Sequence, residues 1–121
     1  MKIILDTNFL IYCAKQKIDY KEEMISLVKG KYDIVTSNQV VDELNELKKK
    51  AKKYADRQAA ELAFKLLKVN KIKIIKTKGR DADEGMIKIS KGNFIATTDK
   101  ELKNKVERSI VIKGRKRLGF G

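Results

Sequence analysis

Short runs of β-branched and aliphatic residues alternate with helical patterns along this chain of 121 residues. The runs predict strands at 2–5, 33–36, 72–75, 93–96 and 110–112. The intervening patterns predict helices at 8–14, 20–28, 38–50, 55–68, 83–91 and 100–107. Strands alternating with helices indicate a parallel sheet covered by helices. We therefore expect a single α/β domain of the doubly wound kind.

One helical pattern is long enough to form either one helix or two. Apolar residues recur at helical spacing through 38–69, which one continuous helix would explain. Five lysines between 48 and 53 weaken that continuity, because like charges repel one turn apart. We expect two helices that form an arm, and we call residues 48–53, where they meet, the Lys arm.

Positive charge is the main compositional signal. Lys and Arg number 29 against 16 Asp and Glu, a net charge of +13, which predicts a polyanionic partner such as nucleic acid. A merely solvated lysine surface is the alternative, but the cations cluster at 48–53, 65–80 and 113–117. The tail 114–121 has the composition of a flexible basic extension, which places the domain at 1–113. Tyr54 and Phe120 could stack on bases, although we expect Tyr54 to pack between the arm helices.

The missing residue types exclude several chemistries. The chain has no His, which removes Ser-His-Asp and Cys-His catalysis, and its one cysteine, Cys13, cannot form an intrachain disulfide. Cys13 lies among apolar residues, so we expect a buried thiol and a reducing, cytoplasmic location. No apolar run is long enough to cross a membrane. Hydrolytic chemistry would have to depend on carboxylates and a metal ion.

Two acids follow predicted strands. Asp6 directly ends the first strand, and Asp99 comes after the strand at 93–96 and a short turn. The C-terminal ends of parallel strands line the ligand crevice of such sheets, so these carboxylates are site candidates. Asp99 also fits a helix-capping role, as the first turn of a helix favours acids.

Two further acids lie near the buried stripes of helices. Glu43 is at the edge of the stripe on the helix at 38–50, whereas Asp42 and Glu46 are expected to point away. Asp83 is at the margin of the next stripe and, like Asp99, could be a simple first-turn acid. Glu43 alone could be an ordinary surface residue.

The four acids together predict a cation site. Carboxylates about 5 Å apart repel each other by about 3 kcal/mol per pair at an effective dielectric constant near 20. Mg²⁺ or Mn²⁺ would relieve this repulsion, since hard cations bind oxygen ligands and bridge to phosphate. Such an ion can activate water for attack on a phosphodiester.

Other phosphate-handling folds fit less well. A haloacid-dehalogenase-type phosphatase needs a second Asp two residues after Asp6, where this chain has Asn8. A receiver domain needs an acid at the end of a middle strand, where Thr36 and Ser37 occur. No glycine-rich phosphate loop follows any predicted strand.

Four short motifs, in order and spacing, resemble the PIN-domain nuclease family over nearly the whole chain. They are LDTN at 5–8, VVDEL at 40–44, AD at 82–83 with Ile87 four residues on, and ATTD at 96–99. The resemblance implies a Rossmann-like three-layer sandwich with a parallel five-stranded sheet of order 3-2-1-4-5. It also implies that Asp6, Glu43, Asp83 and Asp99 hold Mg²⁺ or Mn²⁺, with Asn8 and Thr97 as supporting polar groups.

The same resemblance implies cleavage of RNA. Two subgroups are candidates: toxin ribonucleases paired with an antitoxin, and nucleases that process ribosomal RNA on precursor particles. The short basic chain and the DADEG sequence at 81–85 slightly favour the second, and a non-catalytic RNA-binding assembly factor is a further alternative. A homodimer is also compatible with the family. The residues predicted to contact RNA are Lys48, Lys49, Lys50, Lys52, Lys53, Arg57, Lys78, Arg80, Arg115, Lys116 and Arg117.

Overall fold

A six-stranded sheet forms the centre of the computed structural model, which describes all residues from 1 to 121. Its strands are β1 (Lys2–Leu5), β2 (Asp33–Ser37), β3 (Lys73–Ile75), β4 (Phe94–Ala96), β5 (Ser109–Lys113) and β6 (Arg117–Phe120). The helices are α1 (Thr7–Gln16), α2 (Tyr20–Leu27), α3 (Asn38–Lys50), α4 (Tyr54–Val69), α5 (Ala82–Lys88) and α6 (Lys100–Asn104). No helix is both long and apolar enough to span a membrane.

The strand order is β3-β2-β1-β4-β5-β6, and the first five strands are parallel. Central strand β1 pairs with β2 and β4, so that Ile4 lies opposite both Val35 and Ile95. Ile3, Ile4 and Leu5 are fully buried, as expected for a strand covered by helices on both faces. The predicted PIN-like α/β fold is therefore confirmed, with one strand more than expected.

The additional strand corrects the prediction of a flexible tail at 114–121. β6 pairs antiparallel with β5 after a tight turn in which Gly114 and Lys116 have positive φ. The Leu118 side chain is buried, and the Leu118 backbone N–H donates to Glu23 Oε1 at 3.2 Å. Phe120 stacks on Phe94 with ring centroids 5.4 Å apart. The tail composition indicated disorder because it carries many cations and few apolar residues, but those few find partners in the sheet and α2.

The predicted division of 38–69 into two helices is confirmed. α3 ends at Lys50, and Ala51 adopts an extended ψ of 137° before α4 begins at Tyr54. The Arg57 guanidinium donates to Ala51 O at 2.7 Å and to Lys52 O at 3.2 Å, which fixes the turn. Tyr54 does not pack between the helices as expected, because 65% of it is exposed.

Helices α5 and α6 are shorter than predicted. Beyond α5, Ser90 Oγ donates to Ile87 O and Asn93 Nδ2 donates to Ile89 O, both at 2.8 Å. These side chains satisfy helix-terminal carbonyls that a longer helix would otherwise pair. In α6 the Lys105 N–H bonds to Leu102 O at 3.0 Å, a tightened last turn that ends the helix.

Candidate functional site

Asp6 lies at the junction between β1 and α1, where it is the N-cap of α1. Its Oδ1 accepts the Thr7 N–H at 2.8 Å, and its Oδ2 accepts the Thr97 hydroxyl at 2.7 Å. Only 3% of the residue is exposed. Burial raises the pKa of Asp6 to about 6; the Thr97 hydrogen bond opposes this, and the charges of Asp83 and Glu43 add to it. Asp6 is therefore a buried carboxylate that the charges of Asp83 and Glu43 repel.

Glu43 is held toward Asp6 by the residue between them. Its Oε1 accepts the Thr7 hydroxyl at 2.6 Å, although Glu43 itself is exposed on α3. Thr7 thus contacts both carboxylates, through its N–H to Asp6 and through its hydroxyl to Glu43. This contact distinguishes Glu43 from an ordinary surface residue.

Asp83 and Asp99 have different local roles. Asp81, not Asp83, caps α5 by accepting the Glu84 N–H at 2.9 Å, which leaves the Asp83 carboxylate free. Partial burial and the charges of Asp99 and Asp81 raise the pKa of Asp83. Asp99 is the N-cap of α6, so the helix-capping role considered for it from the sequence is confirmed. The Asp99 backbone N–H also donates to Thr97 Oγ1 at 3.0 Å.

Three of the four predicted acids line one open cleft of about 570 Å³. The lining residues are Asp6, Thr7, Asn8, Asp42, Glu43, Glu46, Leu47, Asp81 and Asp83. Asp99 borders the cleft but lines a neighbouring groove with Thr97. Asp42 and Glu46 are exposed and point away from the buried stripe of α3, as expected, but they still line the cleft, because the cleft opens beside the exposed side of α3.

The donor atoms suit a hard divalent cation. The cleft offers carboxylate oxygens and no nitrogen or sulfur ligand, the donor set that Mg²⁺ and Mn²⁺ prefer. No three carboxylates are close enough to form a closed ligand cage. An open arrangement is compatible with Mg²⁺, which usually keeps several water ligands. Asp6, Glu43 and Asp83 are the residues that would hold it, in part through its water ligands.

A group of neutral side chains, which sequence reasoning missed, positions α5. Asn38 Oδ1 accepts the Thr77 N–H at 2.9 Å, Thr77 Oγ1 bonds to Gln39 Oε1 at 2.8 Å, and Gln39 Nε2 donates to Gly79 O at 3.1 Å. A Cβ on Gly85 would lie 2.5 Å from Gln39 Oε1. These contacts, the Gln39 clamp, tie α3 to the loop before α5. A glycine inside a helix was the signal for this close approach.

Several cations predicted to contact RNA have partners within the protein. Arg80 Nε pairs with Glu84 at 2.6 Å, Lys50 pairs with Glu46 at 3.2 Å, and Lys48 lies over the Phe64 ring. Arg57 is used in the turn between α3 and α4. The others are exposed and form no ion pair: Lys49, Lys52, Lys53, Lys78, Arg115, Lys116 and Arg117.

Comparison with known proteins agrees with this architecture. Residues 3–117 match the model of the PIN-like domain family. Ribonuclease VapC4 of Methanocaldococcus jannaschii is 37% identical over 109 residues, covering 87% of this chain and 82% of the relative. Among solved structures, the PIN domain endonuclease Utp24 has a TM-score of 0.79 at 22% identity, covering 98% of this chain and 90% of that one. VapBC2 from Rickettsia felis, solved with a promoter DNA fragment, has a TM-score of 0.64 at 18% identity, covering 93% and 100%. The chain belongs to the PIN-like domain family.

Proposed function

We propose that this protein is an endoribonuclease that hydrolyses RNA phosphodiester bonds with Mg²⁺ or Mn²⁺. The observation that carries the proposal is the buried Asp6, with a raised pKa, in one cleft with Glu43 and Asp83. A buried acid that repels its neighbours is costly unless a cation binds to it. The 37% identity to a ribonuclease supports RNA as the substrate.

The bound ion would polarise the phosphate and lower the pKa of an attacking water. The residues of the chain supply orientation. Thr7 and Thr97 hold both oxygens of Asp6, and Thr7 also holds Glu43, so neither carboxylate has to be ordered when substrate binds. No histidine is present to move a proton, so the carboxylates and bound water would serve that role.

The exposed cations would hold the RNA backbone. Lys49, Lys52 and Lys53 on the Lys arm are exposed and unpaired. Phosphate neutralisation by such residues releases counterions and gives affinity that falls with salt. We expect charge reversal at Lys52 and Lys53 to weaken RNA binding without changing the fold.

The direct test is cleavage of single-stranded RNA with Mn²⁺, with EDTA, and by Asp6→Asn. We expect cleavage only by the metal-loaded wild type. Asp33→Asn is the matched control, because Asp33 is an exposed acid at the start of β2, and Asp6 lies beyond the other end of the parallel strands. Full activity of Asp6→Asn, or of wild type in EDTA, contradicts the proposal.

For the cellular role we propose a toxin-type ribonuclease with an antitoxin partner, since the relative VapC4 favours that subgroup. Expression in a bacterial host should arrest growth, and Asp6→Asn should abolish the arrest. Normal growth with altered ribosomal precursors would instead favour ribosomal-RNA processing. Retained biological function in Asp6→Asn, lost on Lys→Glu changes in the Lys arm, would favour the non-catalytic assembly factor. A homodimer is part of this proposal, and light scattering on the purified protein tests it.

A further inference from the structure

A second groove adjoins the acidic cleft on the β4–β5 side of the sheet. Its volume is about 460 Å³, and we call it the Tyr12 groove after the aromatic side chain in its wall. Two features join it to the cleft. Thr97, in the groove, donates to Asp6, in the cleft, at 2.7 Å. Asn8, in the cleft, and Tyr12 lie one turn apart on α1.

The two depressions have opposite charge. The cleft is lined by six carboxylates and no cation, namely Asp6, Asp42, Glu43, Glu46, Asp81 and Asp83. The Tyr12 groove contains Lys100, Lys103 and Lys113 against a single acid, Asp99. None of these three lysines takes part in an ion pair. A polyanion that reaches Asp6 is thus repelled by the carboxylates that line the cleft and attracted into the Tyr12 groove.

Tyr12 gives this basic groove an exposed aromatic surface. The residue is 39% exposed, more than the buried core positions Phe9 and Cys13 on the same helix. A positively charged groove with an aromatic side chain is the arrangement that binds single-stranded nucleic acid, since every base can stack on a ring. A duplex would not present an unstacked base to Tyr12.

We infer that the Tyr12 groove is a subsite for the nucleotide beside the cleaved bond of single-stranded RNA. The base stacks on Tyr12, and the flanking phosphates contact Lys103 and Lys113. The inference rests on the proposed function, because it takes the acidic cleft as the place of cleavage. It adds Tyr12, Lys103 and Lys113 to the residues predicted to contact RNA, beside the turn at 114–116, whose Gly114 lines the same groove.

The test measures binding of a fluorescent single-stranded oligoribonucleotide by anisotropy, in EDTA and on the Asp6→Asn background, so that nothing is cleaved. We expect Tyr12→Ala to weaken binding about tenfold and Tyr12→Phe to bind like the parent, because stacking needs the ring and not the hydroxyl. Lys103→Ala and Lys113→Ala should each lower the slope of log affinity against log salt by about one. Lys91→Ala is the matched control, because Lys91 is an exposed lysine in the turn before β4, whereas the Tyr12 groove lies beyond the other end of that strand.

Equal binding by Tyr12→Ala and Tyr12→Phe overturns the inference, as does an unchanged salt slope in both lysine variants. Thermal unfolding of each variant verifies that the fold is intact. If wild type fails to cleave RNA but binding depends on Tyr12, the proposed nuclease function fails, and the Tyr12 groove is a binding site for single-stranded RNA without a role in cleavage. If wild type cleaves RNA and binding ignores Tyr12, only the subsite fails.

Discussion

Replacing Asp6 with asparagine should make the metal-free protein more stable at neutral pH. Only 3% of Asp6 is exposed, and burial raises its pKa from 3.8 to about 6. That difference corresponds to about 3 kcal/mol by which ionised Asp6 opposes folding. The asparagine side chain would carry no charge, and its amide could use the same partners, the Thr7 N–H and Thr97 Oγ1.

The sign of the pH dependence follows from the raised pKa. Below pH 3.8 Asp6 is protonated in both the folded and the unfolded chain, so wild type and variant should differ little. Between pH 3.8 and about 6 the unfolded chain loses the proton first, and wild type loses stability relative to the variant. Above about pH 6 the full difference is present.

Urea unfolding of both proteins in EDTA, from about pH 4 to about pH 8, measures this difference. We expect the variant to gain about 3 kcal/mol by about pH 8, or about 10 °C in Tm for a chain of this length. Asp42→Asn is the control, because it removes a charge from the same cleft at an exposed position. Added Mn²⁺ should reverse the order by stabilising wild type alone. A difference that is flat with pH, or a wild type more stable than the variant in EDTA at the alkaline end of the range, refutes the reasoning.

Three further changes test the supporting structure. Thr97→Val removes a hydrogen bond that favours ionised Asp6, so carbon-detected NMR titration should give an Asp6 pKa above about 6; a lower value would contradict the assigned role. Gly85→Ala should destabilise the protein by about 1–3 kcal/mol in urea unfolding despite the better helix propensity of alanine, because its Cβ would meet Gln39; a gain in stability would show that the clamp yields. Deletion of residues 117–121 should cost about 2–4 kcal/mol, since it removes buried Leu118 and the Phe120 ring from Phe94; an unchanged urea midpoint would restore the flexible tail.

Local patterns were sufficient for most of the secondary structure. The bounds of β1 and α3 agree with the predicted segments, because apolar periodicity and the lysines at the end of α3 are read over a few neighbouring residues. The same patterns indicated Asp6 at a strand end and Glu43 near a buried stripe. The order of the motifs indicated the family.

Local patterns failed where a partner is distant in the chain. β6 pairs with the neighbouring strand β5, but it is also held by Glu23, 95 positions away, whose Oε1 accepts the Leu118 N–H, and no periodicity within 114–121 reveals that contact. Asp42 and Glu46 line the cleft because of where α5 lies, which the phase of α3 alone does not determine.

The sequence by itself therefore determined the α/β class, the family motifs and the four candidate site acids, since each depends on residue type and short-range spacing. Only the tertiary structure decided which acids share a cleft, that Asp99 stands at its border, and that Thr7 and Thr97 hold Asp6. It also decided that Gln39 fixes α5 and that Tyr12 faces a basic groove. The physical reason is that periodicity gives the face of each element, whereas the mutual orientation of elements is set by contacts such as Asp6 to Thr97, which join residues 91 positions apart.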